Sequence, residues 1–173
     1  MPLTLYEATV PSLLQILNGS LGWLDKAAAF VAETGKPEAE LIEARLTPDM
    51  FAFNRQVRGF CMHAQLGIAG ARQGLFSPDA TPAPETIAGL KERVGEAIAY
   101  LETLAPADME PLIGKPMLFR LGETERAFTA DQFLLSFSQP NFYFHVSTAY
   151  AILRNLGVPI GKMDYLGRLR IAD

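Results

Sequence analysis

Between Leu13 and Val31 apolar side chains fall at steps of three and four, through Leu14, Leu17, Leu21, Leu24 and Ala28. That period lines one face of an α-helix and turns it toward a core. Thr4-Leu5-Tyr6-Glu7 reads as a capping box at its start, with a hydroxyl for the first free amides and a carboxylate reaching back, and Gly35 supplies its stop. Pro11 lies past the first turn, where it removes a hydrogen bond and predicts a bend. A short helical piece follows over Pro37 to Arg45. Thr47-Pro48-Asp49 then reads as a second start, a cap followed by a proline and an acid, with a stripe of Met50, Phe53, Val57, Phe60, Ala64, Ile68 and Ala71 behind it.

The stretch SPDATPAP, Ser77 to Pro84, cannot hold a regular helix and reads as a loop. After it Ile87, Leu90, Val94, Ile98, Leu101 and Leu104 repeat at helical spacing and mark a third helix. From Lys115 the pattern changes to short extended runs around Gly122-Glu123-Thr124, a β-hairpin that needs helices to pack on. Thr129-Ala130-Asp131-Gln132 reads as another capping box and launches a fourth long helix, which Asn155 and Gly157 close before Pro159. The tail after Gly161, locally basic through Lys162, Arg168 and Arg170, is expected to dock or fray. These elements predict an all-α fold class with a small hairpin insert before the last helix, in one domain over residues 1–173.

Composition narrows the function classes. Hydrophobic residues make up 49% and charged residues 20% of the 173, the balance of an ordinary globular chain with a real core. The net charge of −4, with no cluster of Lys and Arg, argues against nucleic acid, whose phosphates demand a positive footprint. MPLTLYEATVP lacks the basic and apolar regions of a secretory signal, and the lone Cys61 suits a reducing compartment, so a cytoplasmic location is expected. The uncharged run from Gln132 to Leu153 carries Ser136, Ser138, Gln139, Pro140, Asn141, His145, Ser147 and Thr148 and reads as a buried helix instead of a membrane span.

Within that run Ser138, Asn141, His145 and Thr148 follow at steps of three, four and three, one polar line on an otherwise apolar helix. A polar-lined pocket, a seam to another chain, or a stitch between hairpin and helices would each give such a line its partners. His63, the second histidine, lies one position off the core stripe of the second helix, among Gly59, Phe60, Leu66 and Gly67. With only two imidazoles a three-histidine metal site is excluded by counting. Cys61 points to a different face from His63 and reads as a buried thiol, not as a nucleophile with a base beside it. No GxSxG elbow, phosphate loop, dinucleotide fingerprint, HExxH or CxxC is present.

LYEATVPSLLQ, ARLTPDMFAFNRQV and PNFYFHVSTAYAILRNLGVPIGK together resemble the family grouped as domain of unknown function 1993, a branch of the DinB-like superfamily. The resemblance implies an antiparallel four-helix bundle with a long crossover, a homodimer, and in many relatives a histidine triad on a divalent metal serving thiol-dependent transferases, isomerases or hydrolases. On this chain the triad positions correspond to His145, to Asn141 one turn earlier, and to the neighbourhood of Gln56. Two of the three ligands are thus replaced. The expectation is an uncharacterised homodimer whose pocket or seam holds Gln56, Ser138, Asn141, His145 and Thr148, open to a small-molecule ligand and without a predicted cofactor. The alternative is a divalent-metal enzyme of the DinB type, a thiol-dependent transferase or hydrolase with His145 as candidate catalytic residue, in which zinc, nickel or iron would find its candidate ligands in His145 and His63.

Overall fold

Thr4 starts the first helix as its sequence predicts. Its hydroxyl accepts from the Glu7 amide at 3.1 Å while the Glu7 carboxylate accepts from the Thr4 amide at 3.0 Å. The structure, a computed structural model, describes residues 3–171; Met1, Pro2, Ala172 and Asp173, the ends of the expected 1–173 domain, lie outside the described residues. Helix α1 (Leu5–Thr34) runs through Pro11 without interruption and ends at Gly35, and α2 (Glu38–Ile42) follows.

Thr47 does not start the next helix. Its hydroxyl donates to the Asp49 carboxylate at 2.6 Å instead of capping backbone amides, and the Met50 amide closes a turn onto the Thr47 carbonyl at 3.1 Å. Helix α3 (Phe53–Gln73) begins six residues later, after the Phe53 amide has tied the loop shut on the Ala44 carbonyl at 2.8 Å.

Strand β1 (Leu75–Phe76) comes next, then an irregular segment through Pro78, Pro82 and Pro84, held to α3 by Arg58 on Asp79 and by the Asn54 amide on the Pro84 carbonyl at 3.2 Å. Thr86 caps α4 (Ile87–Glu102) through the Gly89 amide at 3.0 Å. A short α5 (Pro106–Met109) and a 3-10 turn (Glu110–Leu112) lead into the hairpin, β2 (Pro116–Leu121) and β3 (Thr124–Thr129), antiparallel in the register Leu118↔Ala127. β1 pairs parallel to β2, Leu75 opposite Leu118, so the sheet has three strands in the order β1-β2-β3. The molecule is therefore mostly helical with a small sheet, an amendment to the all-α expectation. The two residues of β1 are too few to carry a period of their own.

The last long helical segment is broken in three: α6 (Ala130–Phe133), a π-helical turn (Leu134–Ser138) and α7 (Gln139–Asn155). Thr129 makes no side-chain cap at its start, and the Asp131 carboxylate takes the Gly114 amide at 3.0 Å, tying the hairpin to the helix instead. The tail docks: α8 (Lys162–Leu166) lies on α1, with Gln15 Nε2 donating to the Leu166 carbonyl at 2.9 Å and Lys26 paired to Asp164 at 2.6 Å.

α3 is the centre of the packing. It lies against both α7 and α4, while α4 also lies against α1. Trp23, fully buried, meets Phe53 and Phe60 of α3 edge-on, with centroids 6.2 Å away in each case, and Phe60 meets Phe142 of α7 at 6.0 Å. A second aromatic group fastens the sheet to the helices, with Phe119 4.9 Å from Phe137 and Phe76 5.2 Å from Phe133. Among the described residues no helix is long and apolar enough to cross a membrane.

Candidate functional site

Gln56, Gly59, His63 and Gly67 share one face of α3 at steps of three, four and four. α7 crosses this face antiparallel, so that His145 comes to rest on Gly59 and Ser138 on Gly67. A Cβ at Gly59 would lie 2.9 Å from His145 Cγ, and one at Gly67 only 2.2 Å from Ser138 Oγ. Both glycines are needed because the facing helix carries a side chain where a methyl group would stand. His63 sits between them, and its ring lies 5.8 Å from that of His145, with the two planes 17° apart.

Hydrogen bonds assign the protons. Gln56 Nε2 donates to the Phe51 carbonyl at 3.1 Å, which leaves Oε1 to accept from His145 Nδ1 at 2.7 Å. Ser138 Oγ donates to the His63 carbonyl at 3.0 Å and so accepts from His63 Nδ1 at 3.3 Å. Both imidazoles therefore carry their proton on Nδ1 and keep a lone pair on Nε2. Both are held neutral: burial, and secondarily His145, brings His63 down to about 3, and burial brings His145 down to about 4. Above this pair, His63 buried and His145 partly so, lies a more open rim. Phe51 is parallel to the His145 ring within 4° at 6.4 Å, Phe144 meets it edge-on at 5.4 Å, and the Arg55 guanidinium lies 3.9 Å over Phe51.

The polar line on the last helix is split by this geometry. Gln56, Ser138 and His145 meet, and His63 joins them. Asn141 and Thr148 turn back onto their own helix, Nδ2 to the Phe137 carbonyl and Oγ1 to the Phe144 carbonyl, each at 2.7 Å. A crevice of about 10 Å³ adjoins His63 and Ser138, room for one water; a groove of about 550 Å³ lies elsewhere, between α1, α2 and α4. Cys61 is a packing thiol, buried and pushed up to about 12. Sequence reasoning passed over Phe51 and Arg55, and it set His63 apart from the site. The signal for His63 was present in Gly59 and Gly67, four residues to either side, which mark a close helix crossing.

The triad positions do not fit a divalent metal. Asn141 and Gln56 offer amides, weak ligands for zinc or nickel, and the Gln56 oxygen already accepts from His145 Nδ1. Among the described residues no group of three or more His, Cys, Asp or Glu side chains gathers to hold one.

The family described as Domain of unknown function (DUF1993) matches residues 5–166. A solved structure described as a DinB family member protein from Shewanella denitrificans is 30% identical, covers 98% of this chain and 95% of its own, and superposes with a TM-score of 0.83. No curated protein matches the sequence.

Proposed function

From the premise that the chain belongs to the domain of unknown function 1993 family, within the DinB-like superfamily, we propose that it is a metal-free binding protein. In this reading it is a single-domain antiparallel four-helix bundle, a cytoplasmic homodimer, in which the Gln56–His145 centre and its rim take a small organic molecule.

The observation that carries the reading is the double engagement of Gln56. The Gln56 amide joins the Phe51 carbonyl to His145, holds the protein's own imidazole where a metal would need an anionic or imidazole ligand, and fixes the ring that a ligand would meet. The dimer rests on separate support. No charged residue occurs from Phe133 to Leu153, and Leu135 on that stretch is 38% exposed, the kind of surface a second copy covers.

Elemental analysis of protein purified without a histidine tag, beside its His145→Ala variant, tests the first part. The expected result is no stoichiometric metal in either sample; near-stoichiometric zinc, nickel or iron that disappears in the variant overturns it. Sedimentation at micromolar concentration tests the second part, where a monomer overturns the homodimer. A metal-dependent enzyme of the DinB kind, a thiol-dependent transferase or hydrolase using His145, is the second reading. It draws support from the unclaimed Nε2 atoms of the two imidazoles and would be revived by that metal result.

A further inference from the structure

Three side chains beside His145 share a single neighbourhood with it and have no structural task that accounts for all of them. Phe51 and Phe144 are 46% and 55% exposed, and both meet the ring of His145. Arg55 lies over Phe51, and among the described residues no carboxylate pairs with it, although the chain carries a net charge of −4 and six other cations are ion-paired. His145 Nε2 also lacks a partner. His145 itself is only partly buried, which leaves that edge of the ring toward the rim.

Each of these groups selects a feature of a ligand. Exposed aromatic faces favour a flat π-system, and an unpaired guanidinium favours a carboxylate, which it can hold with two parallel hydrogen bonds. A neutral imidazole with its proton fixed on the far nitrogen can only accept, so it favours a hydroxyl donor. The distances keep the guanidinium within about 10 Å of the imidazole, a span that one ring with substituents at opposite ends bridges through a hydrogen bond at each end. We infer that the Phe51–Arg55–Phe144 rim over His145 is a binding site for a hydroxylated aromatic carboxylate. The inference rests on the metal-free binding reading and gives it a ligand class. With about ten non-hydrogen atoms on an open rim, such a ligand binds with a Kd of about 1 mM.

The probes are 4-hydroxybenzoate, phenol and cyclohexanecarboxylate, titrated into the full chain while the ring signals of His145 are followed by NMR, with His63→Gln separating the two histidines. 4-Hydroxybenzoate is expected to shift the His145 signals saturably and to bind at least tenfold more tightly than either of the others. Arg55→Gln, a change at an exposed side chain, is expected to reduce it to the level of phenol, and Phe51→Leu to weaken both aromatic probes. Phenol binding as well as 4-hydroxybenzoate, or an Arg55→Gln variant with unchanged affinity, overturns the acid preference and leaves the binding reading standing. Silence of His145 toward all three probes overturns both.

Discussion

Gly59 lies directly beneath the His145 imidazole, with room for a hydrogen atom and none for a methyl group. In most helices Gly→Ala gains about 1 kcal/mol from helix propensity. Here the added carbon would meet the ring at 2.9 Å, and forcing it in costs about 1–3 kcal/mol. Gly59→Ala is therefore expected to destabilise the protein in urea unfolding, and the same change made in His145→Ala to stabilise it. The reversal of sign is the observable; destabilisation in both backgrounds would show that His145 is not what Gly59 makes room for.

Acid should weaken the fold before the carboxylates titrate. In the unfolded chain both histidines protonate near 6.5, whereas in the folded chain they hold out to about 3 and about 4. As the pH falls from 6.5 toward 4, the unfolded state takes up protons that the folded state refuses, so stability present above 6.5 is lost through that window. The loss is of order 3 kcal/mol per imidazole across the full shift. Urea unfolding at pH 7, 6 and 5 should show it for the wild type and not for a His63→Gln, His145→Gln double variant. A wild type equally stable at pH 7 and pH 5 would contradict the neutral pair.

The hairpin is a brace. Phe119 of β2 is 8% exposed and packs 6.1 Å from Phe76 and 4.9 Å from Phe137, next to the π turn that presents Ser138 to His63. Phe119→Ala should cost about 3–5 kcal/mol, with one cooperative transition for sheet and helices. A sheet that melts alone, leaving the helices intact, would make it an appendage instead.

Cys61 should be silent toward a thiol reagent such as Ellman's in the native protein. Burial pushes its thiol up to about 12, which leaves almost no thiolate to react at neutral pH. Full reaction is expected only in denaturant. A fast native reaction would show that α3 opens at its middle.

Much of this architecture was legible along the chain. Thr4 with Glu7, Gly35 and the Gly122-Glu123 turn act locally, through atoms a few residues apart, and the structure places each of those boundaries as the pattern predicts. What was not legible depends on which of several partners a group takes. Thr47 gives its hydroxyl to Asp49, Asp131 gives its carboxylate to Gly114, and β1 exists only because Leu118 and Phe119 of β2 are there to pair with. The candidate site shows the same division. His145 stood out as the one histidine in an uncharged helix, but its partner Gln56 is 89 residues away, and the His63–Ser138 contact spans 75. Periodicity places a side chain on a face; it says nothing about which face lies opposite.

Trp23, the single tryptophan, is buried against Phe53 and Phe60 with its indole N–H unpartnered. Its fluorescence is thus a one-site reporter. Emission from an indole in such dry aromatic surroundings lies to the blue, and it reddens when α1 lifts from α3 and water reaches the ring. A ligand on the Phe51 rim leaves that colour unchanged, and a denaturant that parts the helices does not.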